Sequence, residues 1–154
     1  MIALLQRVSE ASVSVSNNKI ASIDKGVLVL VGIERHDSEY QADRLINRIL
    51  DYRIFDDADG KMNLSLKDTQ GGLLLVPQFT LAADTQKGLR PSFSSAANPS
   101  DADKLFSYFC SQSKLAYSPV EVGQFGADMQ VSLINDGPVT FNLTIPPKQD
   151  GLNS

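Results

Sequence analysis

The chain has 154 residues, 42% hydrophobic and 21% charged, which fits one domain with a full core and is too little for two. Fourteen Lys and Arg against eighteen Asp and Glu give a net charge of -4, which excludes a surface gripping nucleic acid over its whole extent but not a small basic site for an RNA end. A lone cysteine, Cys110, forbids an internal disulfide, and with the single histidine, His36, it cannot supply a four-ligand zinc site, so neither metal nor cofactor is expected.

The free thiol suits a reducing compartment. No apolar run approaches the roughly 18 residues needed to span a membrane. The start Met1-Ile2-Ala3-Leu4-Leu5 meets polar Gln6-Arg7 too soon for a signal peptide, so a cytoplasmic protein is expected.

Ile2 to Val8 and the alternating Val13-Ser14-Val15 predict strand, with a turn at Asn17-Asn18 before Ile20 to Ile23. Gly26 to Ile33 is a continuous β-branched and Leu run, the pattern of a strand covered on both faces. A helix follows: Ser38 and Gln41 form a capping-box pattern, and Ala42, Leu45, Ile46, Ile49 and Leu50 make one apolar stripe. Asp56-Asp57-Ala58-Asp59-Gly60 reads as the solvated turn that ends it, because the spacing of a calcium loop is missing. Gly71-Gly72 opens a second buried strand, Leu73 to Val76, predicted to continue through Gln78-Phe79-Thr80-Leu81. The segment from Ala82 to Asn98 reads as loop. A second helix is predicted from Pro99-Ser100, capped by Ser100, with the stripe Ala102, Leu105, Phe106, Phe109 and Cys110. Strands follow at Val120 to Val122, Met129 to Ile134 and Val139 to Ile145. Pro146-Pro147 stops regular structure, so 1–145 reads as one domain and 146–154 as a flexible tail.

Standard catalytic sets are missing. His36 lies in a polar stretch before a helix cap and reads as a surface residue, and Cys110 sits on an apolar stripe and reads as packing. No phosphate-cradling glycine loop and no dinucleotide fingerprint is present. Three segments stand out. Gln78 and Thr80 interrupt an apolar strand, either as its wet face or as a site. Asn135-Asp136-Gly137-Pro138-Val139-Thr140 reads as a hairpin turn, yet Pro138 removes a donor from the next strand, and Gly–Pro bonds adopt cis at modest cost. Lys87-Gly88-Leu89-Arg90-Pro91-Ser92-Phe93 offers two cations and an aromatic, either simply solvated or suited to phosphate and base contacts.

Together these blocks resemble the D-aminoacyl-tRNA deacylase (D-tyrosyl-tRNA deacylase) family from Met1 to about Ile145. Gln6-Arg7-Val8, Arg53-Ile54-Phe55, Gly60-Lys61-Met62-Asn63 and the Lys87 to Phe93 block match in order. So do Pro77-Gln78-Phe79-Thr80-Leu81, Met129, and the Asn135 to Thr140 turn. One position departs: the family's serine is Pro77 here, which removes a hydroxyl and an N–H and bears on the amino-acid pocket.

The resemblance implies a homodimer of mixed α and β fold, with curved sheets forming a barrel-like body across the dimer and two main helices outside. It implies hydrolysis of the ester of D-aminoacyl-tRNA, and of glycyl-tRNA, with L-aminoacyl-tRNA rejected. Gln78, Phe79 and Thr80 would be catalytic through backbone N–H groups, assisted by the substrate's own vicinal hydroxyl. A cis Gly137–Pro138, acting in the partner's site with Met129 and Arg7, would select chirality, and Lys87 and Arg90 would touch the tRNA. Two rivals stay open: a non-catalytic nucleic-acid-end binder on the same fold, and a hydrolase using Thr80 as covalent nucleophile.

Overall fold

The computed structural model describes residues 1–147, so the expected tail lies, from 148 on, outside the described residues. The fold is mixed α and β, as expected. Strands β1 (Ile2–Val15), β2 (Asn18–Ile23), β3 (Gly26–Gly32), β6 (Gly72–Pro77), β7 (Val120–Val122) and β8 (Gln130–Thr144) form the main sheet, and β4 (Phe55–Asp56) with β5 (Met62–Leu64) a small second one. Helix α1 spans Glu39–Asp51, the short α2 Leu66–Thr69 and α3 Pro99–Ala116.

The sheet order is β2-β1-β3-β6-β7, with β8 along the other side of β1. Strand β1 is long enough to serve two partners: Ile2 to Val8 pairs with β3 and Ala11 to Val15 with β2. Strand β2 also lies beside β6 and β7, so the sheet rolls into a nearly closed barrel-like body within a single chain. The β1–β2 turn is Ser16-Asn17, one residue before the expected place, with φ of 49° and 66°. Positive φ at both positions matches the right-handed twist of a hairpin.

The apolar runs bury both faces, as their lack of alternation requires. Val27, Val29, Val31, Leu73 and Leu75 face a core shared with the helices, while Leu28, Leu74 and Val76 face a second core closed by Val8, Val13 and Ile23. Parallel β3 and β6 start at Gly26 and Gly72, where a Cβ on Gly26 would sit 1.9 Å from the Gly72 carbonyl oxygen. Only glycine permits that approach. The Met1 α-amino group donates to Glu34, Asp37 and the Ile145 carbonyl at 3.0, 2.9 and 2.7 Å, drawing the two ends of the described sheet together.

Helix α1 starts where expected. The Ser38 N–H and hydroxyl both donate to Gln41 Oε1, at 2.8 and 2.7 Å, and the whole predicted stripe is buried. It ends at Asp51, before the acidic run, which instead forms the β4–β5 loop. There the Asp57 carboxylate accepts from Asn63 and from the Asp59 and Lys61 N–H groups, which hold it below its usual range. Helix α3 buries its expected stripe as well. Its cap, however, is Asn98, whose Oδ1 accepts from Asp101 N–H at 2.9 Å, with Pro99 in the first turn where its missing N–H costs nothing. Among the described residues no helix is long and apolar enough to cross a membrane.

Asn98→Ala removes that cap and is expected to lower unfolding free energy by about 1 kcal/mol in urea denaturation, whereas Ser100→Ala leaves it unchanged.

Candidate functional site

Strand β6 stops at Pro77, and the expected extension through Leu81 does not form. Gln78 makes the last ladder contact, its N–H donating to the Val31 carbonyl at 2.8 Å. Phe79–Ala82 then closes into a 3₁₀ turn, with Leu81 N–H donating to Gln78 O and Ala83 N–H to Thr80 O, each at 3.2 Å. The turn is seated on Gly32, where an added Cβ would lie 2.8 Å from Leu81 Cβ. A glycine at the end of β3 thus leaves room for the chain to turn there.

The first residues of such a turn have no acceptor within it. Among the described residues the Phe79 and Thr80 N–H groups have no hydrogen-bond acceptor, and two successive free donors of this kind suit an anionic oxygen. Gln78 Nε2 donates to Thr80 Oγ1, which links the two polar side chains of this segment.

Beside the turn lies a cavity of about 440 Å³, bordered by Pro77, Gln78, Phe79, Phe125, Met129 and, from α3, Ala102. Its walls are mostly apolar, and none of these side chains is an acid, base or thiol. Met129 is fixed from behind: its sulfur accepts from Gln124 N–H at 3.4 Å, and a Cβ on Gly123 would approach that sulfur to 3.0 Å. Sequence reasoning missed Phe125 and Ala102. The first sits in an unpatterned loop and the second reads as helix core, so no local signal marks either.

Asn135 to Thr140 is not a hairpin turn between two strands. It lies inside the one long strand β8, as a bulge. Thr140 pairs with Gln6 and Asn135 with Val8, so Asp136, Gly137, Pro138 and Val139 all stand opposite Arg7 alone. The neck is clamped by Asn135, which donates to Thr140 Oγ1 at 2.9 Å and accepts from Val139 N–H at 3.1 Å. Gly137 has a φ of 133°, and a Cβ there would meet Val139 at 2.7 Å and Arg7 at 3.1 Å. The Gly137–Pro138 peptide is cis.

Arg7 holds this bulge. Its guanidinium donates to the Asp136 carbonyl at 3.0 Å and to the Ile54 carbonyl at 2.9 Å, with Asp56 and Asp136 carboxylates at 3.6 and 3.7 Å. The side chain is only 10% exposed. Two of its five N–H donors are thereby committed to backbone carbonyls.

The structure brings Gln78, Phe79 and Met129 to one cavity, with Thr80 following on the turn, and Arg7 to the bulge that carries Gly137 and Pro138. It does not bring the two groups together: Arg7, Gly137 and Pro138 are not among the described residues that line the cavity. Lys87 and Arg90 stand on an exposed loop closed by the reciprocal Asp84–Ser92 backbone pair, outside the cavity. Cys110 is buried among core residues, and burial pushes its thiol up to about 12.

A family model described as D-Tyr-tRNA(Tyr) deacylase matches residues 4–144. The D-aminoacyl-tRNA deacylase of Pseudoalteromonas translucida (strain TAC 125) is 57% identical over 94% of this chain and 100% of the relative. That of Pseudomonas savastanoi pv. phaseolicola (strain 1448A / Race 6) is 60% identical over 92% and 97%. Among solved structures, the c-Myc DNA Unwinding Element Binding Protein superposes with a TM-score of 0.91 at 39% identity, over 95% of this chain and 99% of that one. A probable eukaryotic D-amino acid tRNA deacylase superposes at 0.83 with 18% identity, over 94% and 98%, a likeness of fold.

Two outcomes are expected. Arg7→Ala should cost about 3 kcal/mol in urea unfolding, because two hydrogen bonds from a charged donor are lost, and Arg7→Lys should not restore it, since an ammonium cannot span both carbonyls as the planar fork does. Iodoacetamide at pH 8 should leave Cys110 unlabelled in the native protein and label it in urea.

Proposed function

We propose, since the chain belongs to the D-Tyr-tRNA(Tyr) deacylase family, that its cavity receives the 3′ end of a D-aminoacyl-tRNA and that the 3₁₀ turn beside it promotes hydrolysis of the ester. The chain is an ester hydrolase of this class. The observation that carries the mechanism is the pair of N–H groups at Phe79 and Thr80 that have no acceptor among the described residues, on a turn beside an apolar cavity whose lining holds no acid or base.

Water attacks the ester carbonyl, whose oxygen gains charge in the tetrahedral state. The two N–H groups receive that oxygen. Preorganised donors of this kind are worth about 3 kcal/mol each, because they need not reorient as charge develops. Collapse expels the ribose oxygen, which takes up a proton, and the neighbouring ribose hydroxyl relays the proton that water gives up. No protein base is then required. Thr80 is a poor covalent nucleophile in this setting, since its hydroxyl meets an amide rather than a base.

Chirality is judged by the Gly137–Pro138 bulge of a second copy, entering this cavity. Two observations support that reading: the bulge does not line its own chain's cavity, and Arg7 and Asn135 hold it stiffly. Exposed Leu133 and Ile134 on β8 and Ile20 on β2 support a pairing face for that copy. Glycyl-tRNA, with no side chain to reject, is a second substrate. Lys87 and Arg90 meet the phosphates of the acceptor end, and 1–145 is the domain that acts.

A second reading draws on the name of the c-Myc DNA Unwinding Element Binding Protein, which gives DNA binding for that protein: this chain would hold a nucleic-acid end without turnover. One assay separates them. Hydrolysis of D-Tyr-tRNA with L-Tyr-tRNA left intact supports the deacylase; binding of both without release of amino acid supports the rival. Thr80→Pro removes one N–H and is expected to lower turnover roughly 100-fold, with circular dichroism reporting whether the fold is kept. A trapped acyl-enzyme would favour Thr80 as nucleophile instead.

A further inference from the structure

We propose that Phe93 is a positioning residue: its ring, set against that of Phe79, fixes the direction in which the Phe79 and Thr80 N–H groups point. The inference rests on the deacylase reading for what those groups do, and on geometry for how they are held.

The 3₁₀ turn is weakly held from within. Its two internal backbone hydrogen bonds are both 3.2 Å long, 3₁₀ geometry is poorer than that of an α-helix, and the Gln78 Nε2 bond to Thr80 Oγ1 ties two side chains at the exposed surface rather than the peptide planes. Gly32 gives it a floor but no tie. The remaining restraints come from the segment that follows. Ser95 Oγ donates to the Ala82 carbonyl at 2.7 Å, which anchors the far end of the turn. Asp84 and Ser92 exchange backbone hydrogen bonds at 2.7 and 3.0 Å, which returns the chain to the turn after the exposed loop. Phe93, the next residue, then sets its ring 5.2 Å from that of Phe79 at a tilt of 48°. Of these ties, only the ring contact acts on Phe79 itself.

The pair is not core packing. Phe79 is 63% exposed and Phe93 41%, and neither belongs to the two buried clusters. Two aromatic rings in contact outside a core add little to global stability. They do restrict each other's orientation, since tilted pairs have a preferred geometry. Fixing the Phe79 side chain restrains the peptide planes on either side of its Cα, which carry the Phe79 and Thr80 N–H groups.

The test compares Phe93→Ala and Phe93→Tyr with the native protein in steady-state hydrolysis of D-Tyr-tRNA, together with ¹⁵N order parameters of the Phe79 and Thr80 amides. The energy of an aromatic pair sets the expected scale: Phe93→Ala lowers kcat roughly 3- to 10-fold with KM unchanged and the melting temperature lowered by a few degrees at most, and Phe93→Tyr restores kcat. The order parameters of both amides fall in Phe93→Ala and recover in Phe93→Tyr. A raised KM with unchanged kcat would mean that the ring meets the RNA directly, and overturns the proposal. So does an order parameter that does not move. If the native protein hydrolyses nothing while the order parameters fall as described, the deacylase reading fails and the positioning role stands.

Discussion

Everything at the site depends on where β6 ends, and the parallel pairing of β6 with β3 sets that point. The two strands begin together at a contact between Gly26 and Gly72 too close for any side chain, which fixes their register. From there the ladder runs to Gln78 N–H on the Val31 carbonyl. One residue further along β3 is Gly32, and the space it leaves is taken by Leu81. A side chain at Gly32 would push the turn off the sheet. The sheet therefore does more than carry the site: its register determines which residues turn and which N–H groups are left over.

The same logic of leftover backbone governs β8. Most of this long strand pairs with β1, but the segment opposite Arg7 holds more residues than the ladder can use. The surplus is expelled as a bulge, and Arg7 occupies the gap with its guanidinium on the Asp136 and Ile54 carbonyls. A nearly buried arginine is costly unless its donors are satisfied. Here Nε and Nη1 each donate to a backbone carbonyl, which ties the bulge to the β4 neighbourhood. A bulge this well held is a surface element with a fixed shape.

Much of this could be read from the residues alone, because periodicity records burial. The unbroken runs at Val27 to Val31 and Leu73 to Val76 announced strands covered on both faces, and the stripes of α1 and α3 named their buried residues. The failures share one cause. Gln78-Phe79-Thr80-Leu81 alternates like a strand, and its turn is decided by Gly32, remote in sequence. Asn135-Asp136-Gly137-Pro138 has the chemistry of a hairpin turn, and only the partner strand with Arg7 converts it into a bulge. Phe125 reaches the cavity from a loop without pattern. Local chemistry predicted a turn at Asn135 to Pro138 and an uninterrupted strand at Gln78 to Leu81; at both places distant contacts decided the path of the chain. The family motifs flagged the same segments without supplying that geometry.

The use of backbone on both sides of the proposed reaction follows from the task. A site that must accept many different side chains cannot recognise any of them, so its specificity has to act on what all substrates share: the ester carbonyl, the amine and the direction of the Cα substituent. Side-chain groups would add their own reach and rotamer freedom to that comparison. A peptide N–H on a seated turn has neither, and a clamped Gly–Pro bulge presents carbonyl oxygens and a ring at fixed positions. The cost of such a design is that each backbone element must be held from outside. Gly32, Ser95 and the Phe93 ring hold the turn; Arg7 and Asn135 hold the bulge. The described polar side chains near the site are thus spent mainly on the backbone, and the cavity is lined without an acid, a base or a thiol.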